Sequence, residues 1–536
     1  MSAVPPLDCE VAVIGAGPVG LGVTLALLRA SVDVVAVDRD RGPSTYPKAR
    51  VVGVRSMELL RRWGVAQEVR DLALGADWCH RIVVARSIAG AELGRVEQTP
   101  ASAESACASS PERAALCTQD VLERVLTEAV WRRDPGAVAW RTEVSALAAD
   151  EHGVRLELRT PDGVSRQLRA RYVVCADGVR GLSCGPAVAG AGTRRVIARQ
   201  VSVRVSIGLE RWTVRRPAFV YYVVDRGVSA QLLVVDGRRE WVVSALAHRG
   251  ETRSDYPDAR VRELLATVVG LPSDSPLIAT CTVRDVRLWD LALRVADRFR
   301  CGRVLRAGDA AHEILPTGAM GLNLGLAEAD ALAWRLAAVL RGWAGEAILD
   351  GYHDERRAVA ERTAAWTRAN LNAVARLVGA AARYDDTAID ASCADLVGYI
   401  DHPGIDLGPL VQPGPTDATR LVDDGRPGSR APHLDVGGRG SILDLYGGPP
   451  VLLVDEATAA PAAGGSRASA ISGVPLKVVR LPGRTDRDAT WWSRHGVARD
   501  GAVLIRPDGY VSWRAERTGE RTVADLTRAL CEMAGR

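Results

Sequence analysis

Apolar and polar positions change period several times along the chain. Residues 11–14 form an unbroken apolar run, the pattern of a parallel strand buried on both faces. Three glycines and Pro18 follow, after which Val19, Leu21, Leu25 and Leu28 recur at helical spacing. A second apolar run, 34–37, ends at Asp38, so a strand–helix–strand unit is predicted. The spacing predicts helices over 56–63, stopped by Gly64, and over 118–131, and strands over 138–147, 154–158 and 168–175. Residues 99–110 are small and polar and read as a loop. From 199 the period becomes two: Val201, Val203, Val205 and Ile207 alternate with polar residues, and β-rich runs follow at 219–224, 230–235 and 241–245. This predicts an antiparallel sheet inserted into the α/β unit. A strand at 304–307, a glycine-rich loop and helix over 321–340 and on through 378 return to the α/β pattern. Five prolines between 402 and 430 read as a linker. The last segment predicts a strand at 451–454, a low-complexity loop at 456–473, a strand at 476–480, a hairpin turning at Pro507-Asp508-Gly509, and a helix over 523–533.

Composition narrows the class. A chain of 536 residues holds several domains, and 47% hydrophobic content is ample for their cores. Net charge is +4, and Lys48 and Lys477 are the only lysines; the arginines are dispersed among acids, so no basic surface for nucleic acid is expected. The ten cysteines show no C-x-x-C and no metal-ligand spacing, so reduced thiols, a cytoplasmic location and no metal are expected. The uncharged stretch 11–28 carries four glycines and a proline and follows Asp8 and Glu10, which argues against a membrane span or signal sequence.

Gly15, Gly17 and Gly20 stand in the G-x-G-x-x-G spacing between the first strand and its helix. Gly15 would make the tight turn, Gly17 would let a pyrophosphate approach the backbone, and Gly20 would let helix and strand pack closely. The free amides and dipole of the helix start favour phosphate, and Asp38 stands where a carboxylate accepts from an adenosine ribose hydroxyl.

Two further pieces accompany it: CADGVRG at 175–181 and RVLRAGDAAHEILPTGAMGLN at 303–323. Together, from about 10 to 366, the chain resembles the group A FAD-dependent aromatic hydroxylases of the p-hydroxybenzoate hydroxylase type. YPKARVVGVRSMELLRRWGV and the C-terminal GSRAPHLDV, SILDLYG and GAVLIRPDGYVSWR resemble the branch that tailors aromatic polyketides. The resemblance implies a discontinuous Rossmann-like FAD domain (1–187 and 288–400), a substrate-binding β-sheet domain (188–287), a linker (401–430) and a thioredoxin-like domain (431–536) whose missing C-x-x-C leaves it without dithiol chemistry. It implies non-covalent FAD held by Gly15, Gly17, Pro18, Val19, Gly20, Asp38, Arg39, Arg50, Gln119, Val144, Asp177, Gly178, Asp309, Pro316, Gly321, Leu322 and Asn323. Asp309 would meet the ribityl chain, and the amides of 321–323 the flavin pyrimidine edge. His312 is structural in the family. This chain departs from P-T-G-G-Q-G-M-N at Ala319, Met320 and Leu322, and from D-A-x-N-L at 328–332.

The activity implied is hydroxylation of a phenol- or quinone-type aromatic polyketide, in antibiotic or pigment biosynthesis, with O₂ and NADPH or NADH, through a flavin C4a-hydroperoxide. Such chemistry asks for an apolar chamber that excludes water. Arg50, Tyr221, Gln231 and Pro316 are the catalytic candidates. Tyr221, Tyr222, Gln231 and Trp241 are the candidate walls, and strand alternation allows only one of the two tyrosines to face the flavin. Baeyer–Villiger or ring-rearranging oxygenation of a quinone stays open, as does a flavin-binding protein without turnover. A halogenase lacks its tryptophan-rich motif here. A monomer or homodimer is expected.

Overall fold

Parallel strands need helical crossovers, and the first forty residues supply one. The computed structural model describes residues 8–78, 81–97, 108–160, 163–181, 188–225, 228–400, 402–408, 418–436, 440–482, 491–519 and 521–536. In it the strand Cys9–Ile14, the helix Pro18–Arg29 and the strand Val34–Val37 follow in order. Chain from far along the sequence completes the sheet: Ser165–Cys175 lies beside Cys9–Ile14, Val304–Arg306 beside Ser165–Cys175, and Val138–Ala139 beside Val34–Val37, all parallel. The nucleotide domain is therefore interrupted, as the sequence pattern predicts. Its apolar core is shared by the helices Pro18–Arg29, Gln119–Arg133 and Met320–Leu340.

The inserted sheet has eight strands and reaches further than 188–287. Its order is His312–Glu313, Thr282–Val295, Arg195–Ser206, Glu240–Ala247, Val228–Val234, Val220–Asp225, Arg81–Ala85 and Glu92–Glu97. Arg81–Ala85 joins Val220–Asp225 in parallel, so the sheet is not wholly antiparallel. That edge is a hairpin, Arg81–Ala85 with Glu92–Glu97, supplied by chain arriving from the first domain. One face packs on the helix Asp258–Val269 through Val201, Val203, Tyr221, Leu232 and Trp241. The other meets the helix Ala347–Ala382 through Val220, Tyr222, Leu233 and Val242.

Two expectations for the C-terminal part need correction. The described residues of the expected linker are docked, not extended: Pro403–Asp406 is a short helix, and Arg430 is fully buried. Most of its prolines, and most of the loop at 99–110, lie outside the described residues. The expected loop at 456–473 is the helix Ala459–Ser472. Its alanines and glycines give little amphipathic signal but allow close packing, since a methyl at Gly465 would come 2.6 Å from Leu452 Cδ2. The sheet runs Lys477–Leu481, Val451–Asp455, Ala502–Ile505, Val511–Ala515, with the first pair parallel and the others antiparallel, a thioredoxin-like order. Leu452, Val454, Leu526 and Leu530 share one apolar cluster with Leu332, Leu336 and Leu349 of the FAD domain. The chain end closes on the same domain: Gly345 N–H donates to the Ala534 carbonyl at 2.8 Å, and Arg536 donates to the Gly342 carbonyl at 2.6 Å.

Candidate active site

The three motif loops meet around one side chain. Gly15 has φ +98°, and a methyl there would lie 2.5 Å from the Ala176 carbonyl oxygen, so the first turn touches the CADG loop. A methyl at Gly20 would overlap the Gly15 carbonyl oxygen. The Val19 side chain wedges against Gly308 and Gly325, where added methyls would come 2.9 Å and 2.5 Å from its Cγ2. By contrast, methyls at Gly17, Gly178 and Gly321 would meet nothing within 4 Å. One set of glycines thus seals the loops together, and the other lies open. The helix Pro18–Arg29 has no side-chain cap at Gly17, which leaves its first amides for a ligand. A dinucleotide fits this cradle: backbone amides for the diphosphate, and Asp38 and Asp309 for hydroxyls.

Asp38 is fixed at its strand end by the Ala16 N–H at 2.6 Å and the Asp40 N–H at 2.7 Å, and Arg39 beside it is exposed. Asp309 stays accessible to solvent although protein crowds it closely, and that burial raises its carboxyl. Buried Arg294 holds its backbone, donating to the Asp309 carbonyl at 2.6 Å. Gly308 N–H donates to Glu328 at 2.8 Å, and Glu328 also engages His312 Nε2 at 2.9 Å, both fully buried. His312 is therefore a clamp between the AGDAAH loop and the long helix. Gln119 is engaged by protein, donating to Glu123 at 2.7 Å and accepting from Ala49 N–H at 3.3 Å. Val144 packs on the cluster of Ala12, Val154 and Val173. The Asn323 side chain also turns to protein. It accepts from Gly53 N–H and Ser56 Oγ, both at 2.7 Å, and donates to the Val51 and Ala319 carbonyls at 3.1 Å and 2.7 Å, which uses its full capacity. Ala319, where the family has glycine, sits at φ +55° and is strained by its Cβ.

On the substrate side the structure separates the two tyrosines. Tyr221 and Trp241 face the rear core, their rings 6.4 Å apart, with Tyr221 OH donating to the Arg216 carbonyl at 2.8 Å. Neither is a wall of the flavin side, and the choice of Tyr221 as a catalytic candidate is corrected accordingly. Tyr222 points forward to Tyr399, whose hydroxyl is held by the Gly318 N–H of the PTGAMG loop. Burial first, then the Tyr399 phenol, keeps Tyr222 well above the ordinary tyrosine range. Gln231 stands in register beside Tyr222. Arg50 pairs with neither Asp38 nor Glu58; burial lowers it to about 10, against the pull of the phenols of Tyr46 and Tyr399. Pro316 is exposed at the head of its loop, which Thr317 anchors by donating to the Thr367 carbonyl at 2.6 Å.

Sequence reasoning passed over Arg294, Glu328, Tyr399 and Asp406. Asp406 lies in the expected linker yet caps the helix Val54–Trp63, accepting from Val54 N–H at 2.6 Å where Gly53 offers no side chain. No cluster of metal-ligating side chains, and no helix long and apolar enough to cross a membrane, occurs among the described residues.

Residues 8–367 match the FAD binding domain family, and residues 424–536 match the aromatic-ring hydroxylase C-terminal family. Aklavinone 12-hydroxylase of Streptomyces purpurascens is 34% identical over 546 residues, covering 98% of each chain. The flavin-dependent monooxygenase PieE, solved with FAD and substrate, superposes with a TM-score of 0.90 at 26% identity, over 99% of this chain and 100% of that one. Aklavinone-11 hydroxylase, solved with FAD and aklavinone, superposes with a TM-score of 0.84 at 29% identity, with the same coverage. The chain belongs to the FAD-dependent aromatic-ring hydroxylases. It is an FAD-dependent monooxygenase of their polyketide-hydroxylase branch.

Proposed function

We propose that this enzyme hydroxylates a phenol- or quinone-type aromatic polyketide at the expense of NAD(P)H and O₂, in the making of an antibiotic or pigment. The observation that carries the reading is Arg50: a half-buried guanidinium with no carboxylate partner among the described residues, beside the phenols of Tyr46 and Tyr399 and close to the flavin loops. A cation placed in this way suits a phenolate or enolate oxygen. The similarity to aklavinone 12-hydroxylase over nearly the whole chain supports the same substrate class.

Reduced FAD supplies activated oxygen; this chain's residues supply position and proton control. Arg50 would hold the substrate oxygen in its ionised, electron-rich form. Tyr222 and Tyr399 keep their protons at neutral pH, because burial raises both, and so act as hydrogen-bond donors. Val220, Leu233 and Val242, all buried, border this region and limit water.

The test is consumption of NADPH or NADH by the purified yellow protein, with and without an aromatic polyketide such as aklavinone, followed by mass analysis of product formed under ¹⁸O₂. Substrate-stimulated oxidation with one labelled oxygen on the ring is expected. A flavin that no nicotinamide donor bleaches overturns the reading.

A further inference from the structure

The junction between the FAD domain and the C-terminal domain holds a cleft of about 460 Å³ that the proposed chemistry does not use. One wall is the ends of the helices Pro18–Arg29 and Val54–Trp63 with the middle of Met320–Leu340. The other is the segment 444–449 with Lys477 and Pro507. Pro18 starts at the cofactor cradle, so Arg29, at the far end of the same helix, lies about 17 Å further on. The cleft is therefore separate from the flavin side, and its volume is that of a small-molecule site.

Its lining is unevenly charged. Arg29, Arg61, Arg62 and Lys477 meet only two carboxylates, Asp330 and Asp444. Both are already taken: Arg61 holds Asp444 through hydrogen bonds at 2.7 Å and 2.9 Å, and Arg62 donates to Asp330 at 2.8 Å. Arg29 donates to the Trp63 carbonyl at 3.2 Å, and neither it nor Lys477 has a carboxylate partner among the described residues. Partial burial, then the guanidiniums of Arg133 and Arg62, lower Arg29 from its ordinary value, so the folded chain holds this charge at a cost. The Tyr446 hydroxyl and Arg62 Nε, both from lining residues, are buried without a hydrogen-bond partner among the described residues, so donors as well as charge stand in excess. Small residues keep the slot open: Ala26, Ala30 and Ala333 line it, and a methyl at Gly448 would meet nothing within 4 Å.

We propose that this cleft is a second ligand site, which takes a small organic dianion, a phosphate monoester or a dicarboxylate, held by Arg29 from the FAD domain and by Lys477 from the C-terminal domain. The two uncompensated cations set the complementary charge. The volume, room for about fifteen waters at ~30 Å³ each, sets the size at that of a mononucleotide or smaller. Such an occupant ties the two domains together where the helix Val54–Trp63 ends.

Lys48 and Lys477 are the only lysines of the chain, which makes the test specific to the site. FAD-loaded enzyme is acetylated with N-hydroxysuccinimidyl acetate, and both lysines are followed by peptide mass spectrometry. AMP, phthalate or uncharged adenosine is present at about 5 mM, so that a dissociation constant of about 1 mM slows Lys477 about sixfold. Lys48, whose charge acts on Asp309 and Glu123, is the internal reference and should keep its rate. Protection of Lys477 by AMP alone, by phthalate alone or by both upholds the inference and tells which anion chemistry the cleft prefers. Arg29→Gln and Gly448→Phe, the second filling open space without altering a charge, should each abolish the protection while the protein stays yellow. Arg528→Gln, which alters an exposed guanidinium outside the cleft, should leave it intact. Protection by neither anion, equal protection by adenosine, equal slowing of Lys48 and Lys477, or protection that survives both cleft variants overturns the inference. None of these results touches the proposed function, which NAD(P)H oxidation decides.

Discussion

Tyr221 and Tyr222 are neighbours in sequence with opposite duties. Tyr222→Phe removes the phenol that meets Tyr399, itself tied to the PTGAMG loop at Gly318, and should lower turnover roughly tenfold while FAD stays bound, the effect of about 1.4 kcal/mol in the reaction barrier. Tyr221→Phe leaves the half-buried Arg216 carbonyl without its donor, and should cost about 1 kcal/mol of stability with turnover intact. Steady-state rates and urea midpoints of the two variants, compared side by side, check both statements. Asp406 offers a test in pH. Burial raises its carboxyl to about 6, although Val54 N–H and Arg55 favour the ionised form. Its unfolded value is about 3.9, so its contribution to stability is present below that pH and is lost as pH rises through 6. Asp406→Asn keeps an acceptor for the helix start without the charge, and should stabilise the protein by about 1–2 kcal/mol at pH 8 and by nothing at pH 4. Melting curves at the two pH values read this directly. A variant equally shifted at both would remove the assignment.

At the level of elements, the cofactor cradle depends on how closely the helix Met320–Leu340 approaches the first turn. Gly325 is the tight point, 3.2 Å from Gly308 Cα for an added methyl and closer to Val19. Gly325→Ala should push the two helices apart and release FAD, seen as loss of yellow colour on gel filtration, although alanine is the better helix former. Gly351→Ala, in the helix Ala347–Ala382 where a methyl meets open space, is the control for the backbone alone. These elements were legible in the sequence because their signals are local: an apolar strand, a glycine turn, an apolar helical stripe. The strands Arg81–Ala85 and Glu92–Glu97 were not, since their place depends on pairing with Val220–Asp225 far along the chain. The helix Ala459–Ser472 was hidden by small residues that look like a loop. Site residues followed the same rule. Asp38 and Asp309 sit in motifs, whereas the choice of Tyr222 over Tyr221 is set by strand register, which no local pattern reports.

Across the whole molecule, a buried ionic clamp joins the C-terminal segment to the FAD domain. Glu58 takes Arg55 at 2.9 Å and Arg430 through both its oxygens, one at 3.0 Å; Arg55 also donates to the Asp508 carbonyl at 2.7 Å. Burial alone would raise Glu58, but Arg430 and Arg55 hold it down at about 2. A carboxylate lowered from about 4.3 gives stability that is present above that pH and is lost as pH falls towards 2. Arg430→Ala leaves Glu58 buried with one partner fewer and should cost about 3–5 kcal/mol at pH 7. Its urea midpoint should also fall less steeply than that of the wild type between pH 5 and pH 3. A wild-type acid slope in the variant would place the clamp elsewhere. The same helix, Val54–Trp63, touches Asn323 through Gly53 and Ser56, so the clamp and the PTGAMG loop share one support.

The closure of Gly345 on Ala534, and of Arg536 on Gly342, bears on how firmly the cofactor is kept. Both bonds grip the turn that follows the helix Met320–Leu340. A protease cut that frees the helix Thr522–Met533 should therefore let the long helix drift from the first turn and speed the escape of flavin, read as a faster fading of colour on dialysis.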